Sequence, residues 1–275
     1  MPGGPEGTTG IEHGPLFPNR GTPPLHYVGR IAGQPPVWLE TRGLIENLRL
    51  RSTAIYAGDG PPHGTGQPVL LIPGFMAGAR SMATLRDWLL RMGYHAEVAG
   101  LAFNVRYSED VLNTILLRLV DLFGWLGQRV TLIGHSRGGL LAKVASHRHP
   151  EMVERVVALG APLADPYDIS PFTMAGVRLA QAFNLAMFRR TGAVELPFLK
   201  DLAAPARRPL ASIYSRTDAI VYWQACIRAD AECVEVVGSH VGLAVNPDVY
   251  VVLAGLLSRS NAKQPRSPRP SPTHV

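Results

Sequence analysis

The sequence predicts an α/β protein with a mostly parallel central sheet that is covered by helices on both faces. Short, wholly apolar runs alternate along the chain with longer segments whose apolar residues recur every three or four positions. Strands of a buried parallel sheet are apolar throughout because helices cover both of their faces. The alternation of such strands with helices therefore predicts this fold class.

The individual elements can be assigned in order from these patterns. Residues 68–74, PVLLIPG, form an apolar run that ends in a turn signal, which indicates a buried strand. Ser108, followed by two acidic residues, predicts the start of a long helix with Ser108 as its N-cap. The full predicted order is strand 68–74, helix 80–92, strand 95–101, helix 108–126, strand 129–134, helix 139–149, strand 153–160, strands 210–215 and 233–238, and helix 248–258.

Residues 164–206 interrupt the alternation because they contain no strand pattern. Their apolar residues recur at helical spacing and predict either extra core helices or a helical cap over a site. The position of this segment between two strands favours the cap. We call residues 164–206 the insertion.

The two ends of the chain differ in composition from the domain that we place at residues 37–260. Residues 1–36 are dense in glycine and proline, and residues 261–275 are dense in proline and basic residues. Segments of this kind have little to bury. We therefore expect a mobile or surface-lying N-terminal arm and a disordered basic tail.

Composition and charge narrow the function classes. The chain has 275 residues, of which 46% are hydrophobic, and a formal net charge of +6. This is enough apolar material for a sizeable core. The basic residues form no aromatic-interleaved stripe and no recognition helix, which argues against nucleic-acid binding. The sequence shows no secretory signal pattern and no apolar run near the ~20 residues that span a bilayer, so we expect a cytoplasmic protein.

Cysteine and histidine positions give no metal-binding pattern. The nine histidines and two cysteines do not fall into paired ligand spacings. Cys226 and Cys233 are close enough along the chain for a local disulfide, although a reducing compartment favours free thiols.

The stretch GHSRG, residues 134–138, places Ser136 between two glycines at the junction of a predicted strand and a predicted helix. A chain that passes at once from strand to helix forces the central residue into a backbone conformation with positive φ. Side chains two residues away on either side would collide, and glycine removes them. The alternative is a turn serine that caps the helix. The strand and helix patterns on either side favour an exposed nucleophile at the carboxyl edge of the sheet.

A serine hydroxyl needs a base to take its proton, and the base needs a carboxylate to orient it. His240 lies in a Gly/Ser loop after a predicted strand, where its imidazole can reach the same edge. Asp218 lies in a turn just after another predicted strand, and the chain order Ser, Asp, His is typical of this turn. The alternatives are a surface histidine and a solvated aspartate. The rival carboxylates are Asp165, Asp168 and Asp230.

Acyl transfer also needs N–H donors for the oxyanion. The amide of Arg137, directly after the serine, is one candidate by position. The amide of Phe75 is the second, because Gly74 lets the loop after the first strand approach closely, and Met76 is the runner-up. Phe75 is equally compatible with a core aromatic or with a wall of an acyl pocket.

The motifs LLIPGFMAG, GHSRGG, IYSRTDAIV and GSHVGLAVNP, in that order, resemble the α/β-hydrolase superfamily and its lipase- and esterase-like members. The resemblance covers about residues 68–258. It implies an eight-stranded sheet, a variable cap after the sixth strand and no cofactor. It also implies that Ser136 is the nucleophile, Asp218 the acid and His240 the base, with Phe75 and Arg137 as the oxyanion donors.

One residue departs from many members of that superfamily. Arg137 stands where they carry an uncharged residue. Its charge is expected to favour anionic substrates or to pair with a cap carboxylate such as Asp165.

The expected activity is hydrolysis of carboxylic esters with hydrophobic acyl groups, short or medium in length, through an acyl-enzyme on Ser136. The rate is expected to rise as His240 loses its proton, at about pH 6 to 7. The expected partner is a small-molecule ester or lipid. Acyl transfer to another alcohol or to peroxide, a non-catalytic ligand-binding protein of the same fold, and contact of the cap with a membrane or lipid surface remain as alternatives.

Overall fold

The computed structural model describes residues 35–188 and 195–261. The predicted N-terminal arm apart from residues 35 and 36, the tail after residue 261, and residues 189–194 of the insertion lie outside the described residues. Within the described ranges, the chain forms a wholly parallel sheet of six strands with helices on both faces. The predicted fold class is confirmed.

The helices and strands follow the predicted order. The strands are β1 (Pro68–Ile72), β2 (His95–Val98), β3 (Val130–His135), β4 (Val153–Leu159), β5 (Leu210–Tyr214) and β6 (Glu232–Glu235). The α-helices are α1 (Gly43–Arg51), α2 (Ala54–Ala57), α3 (Ala83–Arg91), α4 (Ser108–Leu126), α5 (Arg137–Arg148), α6 (Pro171–Phe188), α7 (Leu196–Ala203) and α8 (Pro247–Asn261). Short 3-10 helices cover Val37–Arg42, Ala79–Met82, Trp223–Cys226 and Val241–Val245.

The strand order across the sheet creates a natural place for a site. The order is β2-β1-β3-β4-β5-β6, so β2 lies on one side of β1 and all later strands follow on the other. The register pairs Leu71 of β1 with Ile133 of β3, and Ile133 with Val157 of β4. Ligands of open parallel sheets bind at such a switch point, beyond the carboxyl ends of the strands. Ser136 directly follows β3 at this edge.

Both faces of the sheet are buried, which explains the apolar strand runs. Leu70 belongs to the core cluster that also contains buried side chains of α4 and α5, whereas Leu71 belongs to the cluster on the other face. There, the rings of Trp88 on α3 and Tyr250 on α8 lie 4.7 Å apart. Full burial of an apolar side chain such as Leu70 or Leu71 stabilises the fold by about 1.5–3 kcal/mol relative to exposure.

The strand count corrects one implication of the resemblance. An eight-stranded sheet is implied, whereas the described residues form six strands, and the region from Val37 to Ala57 before β1 is helical. The insertion therefore follows the fourth strand of this sheet and not the sixth. Its described part contains α6 and α7.

Ser108 does not cap α4, so that prediction is wrong. The N-cap of α4 is Tyr107, and Ser108 is the buried first residue of the helix. The amide of Ser108 donates to Oε1 of Glu195 at 2.6 Å. A carboxylate from the insertion thus satisfies an N–H that the helix itself leaves unpaired, at the end where the helix dipole favours negative charge.

Two further features bear on expectations from the sequence. Both cysteines are free thiols, with Cys226 buried and Cys233 partly exposed. Among the described residues, no helix has both the length and the apolar character that a membrane crossing requires.

Candidate active site

The turn between β3 and α5 holds Ser136 in a strained conformation. Its φ is 53° and its ψ is −124°, and Met76 is the only other described non-glycine residue with positive φ. A Cβ at Gly134 would overlap the carbonyl of Gly138, and a Cβ at Gly138 would overlap the carbonyl of Ile72. Both glycines are therefore required, as predicted. The turn presents the serine at the carboxyl edge of the sheet.

Asp218 and His240 form a buried pair at the same edge. Asp218 follows β5, His240 follows β6, and Oδ2 of Asp218 lies 2.6 Å from Nδ1 of His240. The other carboxylate oxygen, Oδ1, accepts hydrogen bonds from the amides of Ile220 and Val221, each at 2.8 Å. An ionised carboxylate can only accept hydrogen bonds. Nδ1 of His240 therefore carries the proton, which leaves Nε2 as an acceptor.

The loop after β4 brings this pair towards the serine. A Cβ on Gly160 would lie 3.2 Å from Nδ1 of His240 and 3.3 Å from Oδ2 of Asp218. The amide of Ser136 donates to the carbonyl of Leu159, the residue before Gly160, at 2.8 Å. Among the described residues, Oγ of Ser136 and the His240 imidazole are not hydrogen-bonded to each other. Catalytic hydrogen bonds of this kind often form only in the substrate complex.

Two of the three rival carboxylates, Asp165 and Asp230, form other hydrogen bonds. Oδ1 of Asp165 accepts a hydrogen bond from the amide of Tyr167 at 2.9 Å. Asp230 pairs with Nε of Arg228 at 2.7 Å, and this hydrogen bond lowers the pKa of Asp230 to about 2. The imidazole of His240 is paired with Asp218 instead.

The two buried histidines at this edge differ in their electrostatics. Burial alone lowers the pKa of His240, but the Asp218 carboxylate, supported by Glu40, outweighs it and raises that pKa above the usual 6.5. Burial and the neighbouring His240 lower the pKa of His135 to about 4. Nε2 of His135 lies 2.8 Å from the carbonyl oxygen of His240, to which it donates. His135 is therefore a neutral packing residue beside the pair.

The turn after β1 lies against the serine. Gly74 approaches so closely that a Cβ there would lie 3.2 Å from the Cβ of Ser136. Among the described residues, no backbone carbonyl accepts the amide N–H of Phe75. The amide of Arg137 is the first of α5 and so lies outside the helical hydrogen-bond ladder. Both N–H groups are thus available beside Ser136.

Asn104, which no pattern in the sequence indicates, links this turn to the start of α5. It is fully buried, and its Nδ2 donates to the carbonyl of Pro73 at 2.9 Å. The main-chain carbonyl of Asn104 accepts hydrogen bonds from the amide of Met76 at 3.3 Å and from Nη1 of Arg137 at 2.8 Å. Because the amide of Met76 is engaged in this way, the runner-up oxyanion donor is not available.

The guanidinium of Arg137 also has partners that differ from the prediction. Its Nη2 donates to the carbonyl of Arg106 at 2.6 Å and to Oγ of Ser108 at 3.2 Å. Burial lowers the pKa of Arg137 to about 10, an effect that the charge of Glu195 opposes. The side chain is committed to the loop before α4, and its nearby carboxylate is Glu195. The predicted pairing with Asp165 is wrong.

A cavity opens beside Ser136, between the sheet edge and the insertion. Its walls are mostly apolar and come from the loops at the sheet edge and from α5, α6 and α7. Ser136 and Arg137 line it, together with Phe75, Leu140, Ile169, Val177, Phe198 and Val221. His240 is not among the lining residues. The insertion therefore borders the same space as the serine.

The sheet topology and the strained serine turn are those of the α/β-hydrolase fold. Residues 73–193 match the family model described as alpha/beta hydrolase fold. The chain thus has the α/β-hydrolase fold, and the resemblance to that superfamily is confirmed. A comparison with curated proteins found no match.

Solved structures show the same likeness. Est1E from Butyrivibrio proteoclasticus is 18% identical with a TM-score of 0.52, over 73% of this chain and 90% of that one. The lipase BlEst2 from Bacillus licheniformis is 16% identical with a TM-score of 0.52, over 73% and 96%. An alpha/beta superfamily hydrolase from Oenococcus oeni is 16% identical with a TM-score of 0.51, over 72% and 94%. At these identities the likeness is one of fold.

Proposed function

We propose that this protein is a serine hydrolase that cleaves carboxylic esters of hydrophobic acyl groups through an acyl-enzyme on Ser136. One observation carries the proposal. Asp218 and His240 are paired at 2.6 Å at the sheet edge on which the strained turn presents Ser136. A buried carboxylate that orients an imidazole near an exposed serine is the arrangement that activates a hydroxyl for nucleophilic attack.

In the first half-reaction, Oγ of Ser136 attacks the ester carbonyl carbon while Nε2 of His240 takes the hydroxyl proton. The carbonyl π electrons move onto the oxygen, and the amides of Phe75 and Arg137 donate hydrogen bonds to this oxyanion. The tetrahedral intermediate then collapses, the bond to the alcohol breaks, and His240 returns the proton to the leaving alcohol. Asp218 stabilises the imidazolium and keeps the imidazole in its productive orientation.

In the second half-reaction, water takes the place of the alcohol. Nε2 of His240 removes a proton from the water as its oxygen attacks the acyl carbon, and the same two amides bind the new oxyanion. Collapse of this intermediate breaks the bond to Oγ, and the proton passes from His240 to Ser136. The acid is released and the serine is regenerated.

The apolar cavity supports a hydrophobic acyl group. Side chains such as Val177, Phe198 and Val221 line the space next to Ser136 and can bury an alkyl chain there. On the outer face of the insertion, Phe172, Leu179 and Met187 are largely exposed. This exposure supports the further part of the proposal, that the insertion contacts the lipid surface from which a substrate enters.

The proposal is tested with p-nitrophenyl esters of increasing chain length, assayed below and above the concentration at which they form an interface. We expect S136A to lower turnover by about 10⁶-fold. The matched control S258A changes a serine on α8 whose hydroxyl donates to a carbonyl of its own helix. It should retain wild-type turnover.

A serine-directed phosphonate followed by mass spectrometry locates the nucleophile independently. The label is expected on Ser136 in the wild type and S258A, and on no residue in S136A. Wild-type turnover in S136A, or a label at another residue, would remove the assignment. Product analysis with an added alcohol or peroxide distinguishes hydrolysis from acyl transfer, which uses the same residues.

A further inference from the structure

The helical segment before the sheet lies on the two loops that carry Asp218 and His240. This segment, residues 37–51, comprises the 3-10 helix Val37–Arg42 and α1. It precedes the region that matches the family model. Two glutamates on it, Glu40 and Glu46, make side-chain contacts with backbone groups 179 to 201 residues further along the chain.

Glu40 joins the acid loop to the base loop with one carboxylate. Its Oε1 accepts a hydrogen bond from the amide of Ala219 at 3.0 Å, next to Asp218. Its Oε2 accepts from the amide of Val241 at 2.8 Å, next to His240. Hydrogen bonds to a charged acceptor are stronger and more directional than neutral ones. The spacing between the two loops is therefore set in part by the width of a single carboxylate.

Glu46 holds the base loop at a second point. Its Oε1 accepts from the amide of Ser239 at 2.9 Å, and its Oε2 accepts from the hydroxyl of Ser239 at 2.9 Å. A Cβ at Gly242 would overlap the Glu46 carboxylate, and a Cβ at Gly43 would lie 3.4 Å from the amide nitrogen of Gly242. The two backbones thus pack against each other at Gly43 and Gly242, and Gly242 lies two residues after His240.

We infer that Glu40 and Glu46 are positioning residues, which fix the loops of Asp218 and His240 in the arrangement that the reaction needs. The inference rests on the proposed function. An error of about 1 Å in the position of a catalytic group can cost about 100-fold in rate, so hydrogen bonds that fix loop spacing have kinetic consequences. Ser239 and His240 are both buried, which shows how closely this loop is held.

Glu40 also adds negative charge close to the imidazole. The charged and titratable groups that face His240 are Asp218, His135 and Glu40. Asp218 and Glu40 favour the imidazolium, whereas burial opposes it, and the neutral His135 adds no charge. The glutamine variant E40Q removes one of the two favourable charges while it keeps the shape of the side chain.

The kinetic experiment compares E40Q and E46Q with E232Q in the full chain. Glu232 is an exposed glutamate at the start of β6, paired with Arg259, so its replacement removes the same charge at the opposite edge of the sheet. For E40Q we expect a loss of about 10-fold to 100-fold in kcat at nearly unchanged KM. The acidic limb of its kcat/KM profile should move to lower pH. E46Q should lose kcat with a smaller movement of this limb, and E232Q should match the wild type.

A second readout does not depend on esterase activity. Titration of the His240 imidazole, followed by NMR in S136A and in S136A/E40Q, should give a lower pKa in the double variant. If the wild type cleaves no ester, the proposed function fails, and the titration still decides the role of Glu40. Two results would overturn the inference. One is an imidazole pKa that is the same in S136A/E40Q as in S136A, and the other is kcat values for E40Q and E46Q within about twofold of that of E232Q. Should E40Q not fold, E46Q carries the kinetic comparison.

Discussion

At the scale of single residues, the backbone strain at Ser136 is offset by hydrogen bonds that its own amide and carbonyl form. A non-glycine residue with positive φ costs about 1–3 kcal/mol. The Ser136 amide donates to Leu159 at 2.8 Å, and its carbonyl accepts from the amide of Gly139 at 2.9 Å. Neither bond requires a side chain. The strained conformation is therefore maintained by the backbone, and the serine hydroxyl remains available for chemistry.

The pKa of His240 leads to a prediction about pH dependence. Because the folded chain raises this pKa above 6.5, the imidazole stays protonated, and so inactive as a base, to a higher pH than an unperturbed histidine. We expect kcat/KM to increase with pH through a single ionisation with a midpoint above 6.5. The raised pKa places this midpoint above the reference value that the expectation from the sequence takes.

The pH profile is measured with a short, soluble ester between about pH 5 and 9. Because burial holds the pKa of His135 at about 4, that histidine should add no second limb in this range. Because His135 carries no charge in this range, H135Q removes no charge beside His240 and should leave the limb near its wild-type position. A flat profile would contradict His240 as the base, and a wild-type midpoint below 6.5 would contradict its raised pKa.

At the scale of elements, the second helix of the insertion is tied to the helices that cover the sheet. Nε of Arg148 on α5 lies 2.6 Å from Oδ2 of Asp201 on α7, and its two terminal nitrogens pair with Glu109 on α4. The ammonium of Lys143 donates to the carbonyls of Leu202 and Ala204, each at 2.6 Å. These contacts fix α7 and its end, whereas α6 has a largely exposed outer face.

The buried ammonium gives a prediction about stability. Burial lowers the pKa of Lys143 in the folded chain from 10.5 to about 8. Between these pH values the unfolded chain binds more protons, so the contribution of Lys143 makes the free energy of unfolding rise with pH. The neutral amine still has N–H donors for both carbonyls. In K143M those carbonyls lose their donor, which costs about 1–3 kcal/mol.

We therefore expect the difference in unfolding free energy between the wild type and K143M to widen from pH 8 towards pH 10.5. Urea unfolding at several pH values measures it. The control K200M changes an exposed lysine on α7 and should follow the wild type at every pH. A difference that narrows with rising pH would show that Lys143 has no depressed pKa in the folded chain.

At the scale of the whole molecule, the sequence predicts most of the fold because a parallel sheet has simple consequences. Residues that follow different strands meet at one edge, so Asp218 and His240 could be paired although 22 residues separate them. The local G-x-S-x-G pattern places Ser136 at that edge for reasons of backbone geometry alone. These assignments depend on where each strand ends along the chain, and the pattern of apolar residues in the sequence shows where the strands end.

Contacts made by long side chains and irregular segments could not be predicted in this way. Glu40 and Glu46 reach backbone groups in loops, and no periodic pattern specifies such a pairing. Asn104 acts through hydrogen bonds to loop and turn backbone and to Arg137, which no pattern in the sequence around it indicates. The prediction that Arg137 pairs with Asp165 was wrong for a related reason. A flexible guanidinium can reach many acceptors, and the sequence does not specify which of them it contacts.

The cavity between the sheet edge and the insertion provides the last prediction, which concerns acyl chain length. Val177 on α6 lines the cavity, whereas Leu179 on the same helix is 73% exposed. In V177W, an indole would occupy space that a longer acyl chain needs. We expect the ratio of kcat/KM for a p-nitrophenyl octanoate to that for the acetate to fall about 10-fold or more.

The control L179W adds the same ring to the outer face of α6 and should leave this ratio unchanged. The ratio is the informative quantity, because a general loss of stability or of catalytic geometry lowers both rates together. Equal ratios in V177W and the wild type would mean that the acyl chain does not enter this cavity. The apolar walls would then have to accommodate the alcohol part of the ester, and a series of alcohols on one short acyl group would show the discrimination instead.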